Sequence, residues 1–393
     1  MSLIRSENKN GLLTVALSGR IDSSNVGEVE AELEAVCAAE AYSAIVLDVE
    51  ELQYISSAGL RMVLRLRKNE PTLEVINATS EVYEIFEMTG FTEMIPVSKA
   101  YRRLSVEGCE VIGQGANGKV YRLDADTIIK VYLNPDSLPD IHRERELARK
   151  AFVMGIPTAI PYDVVKVGDG YGSVFELLNA KSFAKLIAAE PENLQHYIDL
   201  YIDLLRKIHA TELKPGDMPD MKQVALKWAD FMKDHLPEEY WRKLRTLVEG
   251  VPEDHHMLHG DYHIKNVMMQ DGEVLLIDMD TLCMGHPVFE FASMYMAYLG
   301  YSENDRNNVQ EFLGIPYETA AEIWDRSLRL YFSTDDEQKI REYADKARTI
   351  CYTRMIRSSL RRHALETETG RRNIETWKAN LMELLDRIDT LEF

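Results

Sequence analysis

Over the first hundred positions, short β-branched runs bounded by turn residues alternate with apolar residues at helical spacing. GLLTVALSG (Gly11 to Gly19) and SAIVLDV (Ser43 to Val49) have the length and composition of strands. Between them Val26, Val29, Leu33 and Val36 recur every three or four residues, while Glu28, Glu30, Glu32 and Glu34 take the remaining surface. That spacing predicts an amphipathic helix. A second helix is expected from near Ser57, turning Leu60, Val63 and Leu64 inward. TLEVINA (Thr72 to Ala78) predicts another strand, and VYEIFEMTG a third helix closed by Gly90. Strands alternating with helices imply an α/β unit, a mixed sheet with helices packed on it.

The pattern changes after Pro96. The polar stretch to about Glu107, with Lys99, Arg102 and Arg103, reads as a linker. The expected organisation is a domain over 1–100, a linker over 101–107, and a second domain split into 108–178 and 179–393. EVIGQGANGKVYRLDADTIIKVY predicts two or three antiparallel strands. A helix is expected around Arg143 to Met154, then strands through Val174 and Phe175. From Asn193 onward helical periodicity dominates, interrupted near Met257 to Asp280. This second domain is therefore expected to be α+β, with a largely helical carboxy-terminal part.

The chain has 393 residues, more than one hydrophobic core usually holds. Its 46% apolar and 28% charged content is that of a globular protein. The net charge is −20, with the acidic excess present in both halves. Neither half carries the basic surface that phosphate backbones demand, so nucleic acid and anionic membrane are not expected partners. No apolar run approaches the ~20 residues of a membrane span, and MSLIRSENKNGLL lacks the apolar core of a secretory signal. Cys37, Cys109, Cys283 and Cys351 lie far apart with no CxxC spacing, which favours reduced thiols and a cytoplasmic location.

The phrase IVLDVEELQYISSAGLRMVLRL reads as a strand, a turn, and SSAGL opening a helix. Ser56 or Ser57 would cap that helix, and Gly59 would permit tight packing. Taken with SGRIDSSN, the strand ending in Asp48, and EIFEMTGF, the stretch from roughly 3 to 100 resembles the STAS domain of bacterial anti-sigma factor antagonists. The resemblance implies a regulatory domain whose surface binds an anti-sigma factor or another regulatory protein, with Ser57 at the position that is reversibly phosphorylated. Phosphate at a helix N-terminus meets free N–H groups and the positive dipole end, while adding about two negative charges to a docking surface. The chain departs from the pattern at Ser56, where many phosphorylated members carry Asp.

Further on, Gly113-Gln-Gly115-Ala-Asn-Gly118 satisfies GxGxxG between two strands, a context for a loop over nucleotide phosphates rather than a Rossmann turn. IIKVY places Lys130 inside an apolar strand. On the nearby helix Glu144, with Leu147 and Ala148 facing inward, is the expected partner; Glu146 would point to the opposite side. LHGDYHIKNVMMQDGEVLLIDMD then supplies His259-Gly-Asp261, Asn266, a DG hairpin and Asp278. A short loop would let Asp261 orient an attacking hydroxyl and accept its proton, with Asn266 and Asp278 offering hard oxygens to Mg²⁺. With these elements in order, 106 to about 390 resembles the protein-kinase-like superfamily, in particular its aminoglycoside phosphotransferase and choline kinase branch, where HGDxHxxN stands for HRDxKxxN.

That resemblance implies an ATP- and Mg²⁺-dependent transfer of the γ-phosphoryl group to a hydroxyl. Lys130 would contact the α/β-phosphates and Glu144 anchor it; Asp261 would be the base; Asn266 and Asp278 would hold metal. Gly113, Gly115 and Gly118 would cover the phosphates, and Glu176 to Leu178 would form the adenine hinge. The missing activation segment after Asp280 points to a small-molecule acceptor, bound among carboxy-terminal helices that include EIWDRSLRLYF and the stretch from Arg354 to Arg362. Acidic side chains there would suit a cationic acceptor, but at this net charge they read as a solvated face. Trp228, Trp241, Tyr295, Tyr298 and Trp324 are expected in the core. A different reading makes the protein a partner-switching regulator whose kinase-like half senses nucleotide or phosphorylates the STAS serine. Retention of Lys130, Asp261, Asn266 and Asp278 together favours catalysis.

Overall fold

A computed structural model describes residues 3–39, 41–115 and 118–393. The chain divides into two compact units, Met1–Ser105 and Val106–Phe393. The first contains β1 (Ile4–Lys9), β2 (Leu12–Ile21), α1 (Val26–Ala39), β3 (Ala44–Ile55), α2 (Ser57–Asn69), β4 (Glu74–Ala78), α3 (Ser80–Met88) and β5 (Val97–Lys99). The sheet order follows the chain; β1 and β2 are antiparallel, and the remaining pairs are parallel. Leu13, Val15 and Leu17 on β2 and Ile45, Leu47 and Val49 on β3 alternate inward. A register shift between Ala16 and Ser18 then resets β3, so that Leu52 and Ile55 also point into the core. Gly90, left-handed at φ +72°, follows α3.

Two elements differ from the sequence reading. β1, IRSENK, buries only Ile4 and runs along the sheet edge, so its polar side chains carry no periodic signal. β5 lies inside the polar stretch read as linker, because backbone pairing with β4, Val75 opposite Val97, needs little apolar content.

The second unit opens with β6 (Val111–Gln114), β7 (Gly118–Arg122), β8 (Thr127–Tyr132), α4 (Leu138–Val153), β9 (Pro161–Val167) and β10 (Gly170–Glu176). The strands form an antiparallel sheet in the order β6-β7-β8-β10-β9. α4 starts earlier than its apolar spacing suggests, since Pro139 is tolerated in a first turn, where no helical N–H bond is lost. There follow β11 (Lys181–Ser182), α5 (Phe183–Ala189), α6 (Leu194–His209), α7 (Met221–Phe231), α8 (Glu238–Glu249), β12 (Met257–Leu258), β13 (Val267–Gln270), β14 (Glu273–Leu276) and β15 (Cys283–Met284). The helices α9 (Val288–Tyr298), α10 (Asn307–Leu313), α11 (Tyr317–Phe332), α12 (Glu337–Arg361) and α13 (Glu368–Arg387) complete it. β13 and β14 pair across Asp271-Gly272, both with positive φ as a tight hairpin turn requires. Every residue of α9 is buried, and α12 packs along it. Trp228, Tyr295, Tyr298 and Trp324 are core residues and Trp241 packs against them, half-buried. Among the described residues, no helix is long and apolar enough to cross a membrane.

The tightest approach in the first unit is at Gly59, where an added Cβ would stand 2.6 Å from Ile55 Cγ1 and 3.0 Å from Ile21 Cγ2. Both isoleucines are buried and cannot swing away. Gly59→Ala is expected to destabilise this unit by about 1–3 kcal/mol, the usual cost of overpacking. Denaturant unfolding of the full chain would read this as an earlier first transition; an unmoved transition would contradict the packing described.

Candidate active site

Lys130 sits on β8 with its backbone paired to β7 and β10, which fixes the direction of its side chain. Its Nζ lies 2.9 and 3.1 Å from the two Glu144 oxygens of α4, and 3.2 Å from Asp278 Oδ1 just beyond β14. Tyr132, two residues on and on the same strand face, donates its hydroxyl to Glu144 Oε2 at 2.5 Å. Glu146 faces away and bonds Arg149 at 3.1 Å. Burial alone would lower the Lys130 ammonium; Glu144 and Asp278 outweigh it and hold the pKa well above the ordinary value. Asp278 adopts the left-handed region at φ +63°, a conformation that turns its carboxylate out of the β14 direction.

The loop carrying Asp261 is fixed from beneath. Glu290, fully buried on α9, accepts the backbone N–H groups of His259 and Gly260 at 2.5 and 3.0 Å. Ser293 Oγ donates to the Gly260 carbonyl at 2.8 Å, and Arg354 Nη1 donates to the same oxygen at 3.2 Å. The Asp261 N–H donates to His259 Nδ1 at 3.3 Å, while His259 Nε2 lies 3.2 Å from the Ile277 carbonyl. These partners assign a neutral ring protonated on Nε2, and the ring ties the Asp261 loop to the residue before Asp278. Asn266 reinforces the link. Its Nδ2 donates to the Asp261 carbonyl at 3.0 Å, and its own carbonyl accepts from Ile277 N–H at 3.0 Å.

Burial alone would raise the Asp261 carboxyl. The hydrogen bond and charge of His263, then the charge of Arg354, outweigh burial and hold the pKa at about 2. Asp261 is thus an anion across the physiological range, with His263 Nε2 3.5 Å from Oδ2. Asp280 moves the other way: burial and then the Asp278 and Glu144 charges push it up to about 7. The corner is overloaded with negative charge.

That overload is the test of fit for a divalent cation. Asp278 is exposed and its second oxygen has no partner among the described residues, while the Asn266 amide donates through Nδ2 to the Asp261 carbonyl and so leaves its oxygen for another ligand. Hard oxygens beside surplus negative charge fit Mg²⁺. Among the described residues, no three His, Cys, Asp or Glu side chains are arranged to hold a metal by themselves. A cation there would complete its shell with phosphate and water oxygens.

Of the glycines, Gly113 ends β6 with Gln114, and Gly115 N–H donates to the Gly118 carbonyl at 3.0 Å. Ala116 and Asn117, inside the GxGxxG stretch, lie outside the described residues. At Gly118 a Cβ would meet the Val131 carbonyl at 2.5 Å, so β7 can approach β8 only without a side chain. Glu176 to Leu178 border a cleft of about 940 Å³ that Ile112, Tyr162 and Met268 also line. The Glu176 carboxylate accepts Ile160 N–H at 3.4 Å.

In the first unit Ser56, not Ser57, is the cap of α2: its Oγ accepts from Ala58 and Gly59 N–H at 3.3 and 3.4 Å. Ser57 is the first helical residue and is exposed.

Comparison with known proteins gives a family for each of the two units. Residues 108–326 match the profile described as the phosphotransferase enzyme family, and residues 4–104 match the STAS domain. The chain belongs to the phosphotransferase enzyme family. Its amino-terminal unit is a STAS domain, 38% identical over 95 residues to BtrV of Bordetella bronchiseptica, described as an anti-sigma factor antagonist. That match covers 23% of this chain and 81% of the relative. Among solved structures, aminoglycoside phosphotransferase APH(4)-Ia in ternary complex with ADP and hygromycin B aligns at 12% identity and TM-score 0.49, over 71% of this chain and 93% of that one. A choline/ethanolamine kinase family protein from Mesorhizobium loti aligns at 15% identity and TM-score 0.47, over 71% and 88%.

Glu290 is a residue of this candidate site that sequence reasoning missed. A lone acid in the apolar run VFEFASMYMAY was the available signal, since a carboxylate is buried in such a helix only when it is fully bonded. Glu290→Gln would turn one acceptor oxygen into a donor facing an N–H. It is expected to cost about 1–3 kcal/mol of stability in the second unit. Hydrogen exchange would report it as lost protection at His259 and Gly260; unchanged protection would contradict the role.

Proposed function

We propose that the second unit is an ATP- and Mg²⁺-dependent phosphotransferase that moves the γ-phosphoryl group to a hydroxyl of a small-molecule acceptor, and that the STAS domain regulates it. Residues 108–178 form the nucleotide lobe with Gly113, Gly115 and Gly118 over the phosphates, and 179–393 carry the base; 101–107 connect this unit to the STAS domain. The observation that carries this reading is the meeting of Lys130 with Glu144 and Asp278, the latter 148 positions away, around one open corner.

Lys130, oriented by Glu144, donates to the α/β-phosphates, and the cleft at Glu176 to Leu178 takes the adenine. Asn266 and Asp278 offer the metal its protein oxygens. When bound, Mg²⁺ neutralises phosphate charge and fixes the orientation of the triphosphate. Asp261, ionised, accepts a hydrogen bond from the acceptor hydroxyl, aligns its oxygen with the γ-phosphorus and takes the proton as the new bond forms. His259 and Glu290 keep Asp261 and Asp278 at a fixed separation, so little reorganisation accompanies the step.

An exposed Ser57 hydroxyl, spared from capping by Ser56, supports a second role as a phosphorylatable switch at a surface that meets an anti-sigma factor. An N-terminal helix position tolerates phosphate, whose charge then repels or recruits a partner.

Asp261→Asn is expected to slow phosphoryl transfer by about 10²–10⁴-fold, the usual share of a positioned base, while nucleotide affinity measured by calorimetry stays near the parent value. Turnover equal to the parent would remove Asp261 from the mechanism. Phosphate on the Ser57 peptide after incubation with ATP and Mg²⁺, absent in Asp261→Asn, would identify the serine as an acceptor; ADP accumulating over an unmodified peptide would dismiss it.

A further inference from the structure

The second unit runs against the sign of the whole chain in one place. Arg354, Arg357 and Arg361 on α12, and Arg362 at its end, have no carboxylate within 4.0 Å among the described residues. Several other arginines of the unit are matched: Arg348 bonds Asp345 at 2.9 Å, Arg329 bonds Asp325 at 2.7 Å, and Arg245 takes Asp230 of the facing helix α7 at 2.8 Å. Arg354, Arg357 and Arg361 recur at three- and four-residue spacing and so share one helix face, while Arg362 follows at the helix end.

The Arg354 end of that face meets the Asp261 loop. Arg354 reaches the Gly260 carbonyl at 3.2 Å, directly before the proposed base, and stacks over Trp228 at 5.6 Å. Arg357 stacks over Phe231 at 5.8 Å, and its buried Nε has no hydrogen-bond partner. Burial, then the charge of Arg361, lowers the Arg357 pKa. Tyr301, pushed up chiefly by burial, lies within the electrostatic reach of Arg354, Arg362 and Asp261, which joins the stripe to the base. The helix dipole accounts for cations in the last turn, Arg361 and Arg362. It does not reach Arg354 or Arg357, and like charges held together on one face, half-buried at Arg354 and Arg357 and exposed at Arg361, cost stability until an anion arrives. Arginine on an aromatic platform is the side chain best shaped to grip a carboxylate or phosphate.

We infer that the acceptor is a small anionic hydroxyl compound whose carboxylate or phosphate group is held by Arg357 and Arg361 while its hydroxyl reaches Asp261. Arg354 positions the Asp261 loop and adds to the field. This rests on the phosphotransferase reading. In the step the acceptor oxygen bonds the γ-phosphorus, its proton passes to Asp261, and the bond to the bridging oxygen breaks with its electron pair leaving on ADP. Cationic acceptors are disfavoured by the same four charges.

The experiment uses the full chain. Binding of the Mg²⁺ complex of AMP-PNP is measured first, and its absence would sink the phosphotransferase reading itself. ADP release is then followed with two anionic arms, hydroxy acids (glycerate, gluconate) and phosphate esters (glycerol 3-phosphate, glucose 6-phosphate), against glycerol, glucose, choline and kanamycin. Turnover is expected with one of the anionic arms, which tells carboxylate from phosphate. The double variant R357Q/R361Q is expected to raise KM for that acceptor by about tenfold or more, as lost charge-assisted bonds do, and R357K/R361K to recover part of it. Faster turnover of a neutral or cationic compound, no turnover of any anionic one despite nucleotide binding, or an unmoved KM in R357Q/R361Q would overturn the inference.

Discussion

A half-buried ammonium has to be answered by fixed negative charge, and the second unit is arranged around how Lys130 is answered. Glu144 arrives from α4 and Asp278 from beyond the β13–β14 hairpin, 2.9 and 3.2 Å from the same nitrogen. Glu144 is the buried partner of the two, and removing it would take away the closest answer to that charge, the kind of loss that costs about 3–5 kcal/mol at a buried pair. The demand propagates outward. Tyr132 braces Glu144, the His259 ring links the Asp261 loop to the strand end before Asp278, and Glu290 holds that loop from within α9. Gly118, with no room for a Cβ against Val131, lets β7 close over β8 and its lysine. The sheet and the helical core together build one open, acid-rich corner around Lys130.

What could be read from sequence was what local chemistry dictates. Helical spacing in α1 and the β-branched runs of β2 and β3 are strong because one face of each is buried. The DG turn between β13 and β14 identifies itself, since both of its residues take positive φ. Glu144 could be preferred to Glu146 because a helix offers Leu147 and Ala148 as internal markers of its buried face. β1 and β5 were illegible for the opposite reason: edge strands are held by backbone bonds, and IRSENK and VSK carry almost no apolar pattern.

Long-range electrostatics was the least legible layer. A net charge of −20 suggested solvated acidic faces, yet α12 meets the loop of the proposed base through Arg354 and carries Arg357 and Arg361 on the same face, none with a carboxylate partner among the described residues. Whether an arginine is matched depends on what the fold brings opposite it, which no spacing rule supplies. Glu290 was hidden likewise, as an acid whose partners are backbone groups. The choice between Ser56 and Ser57 as cap needed coordinates too, because either hydroxyl could serve and only backbone dihedrals decide: Ser56, extended at φ −85° and ψ 174°, caps, and Ser57 is left free.

The central claim is that Lys130, Asn266 and Asp278 serve one metal-bound triphosphate. The most direct measurement is calorimetric titration of ATP into the full chain with Mg²⁺ and, separately, with EDTA, repeated for Asp278→Asn. The account expects Mg²⁺ to tighten binding by at least about tenfold, the equivalent of ~1.4 kcal/mol, and expects that gain to vanish in the variant. Equal affinity with and without Mg²⁺, or a gain that survives in Asp278→Asn, would contradict it.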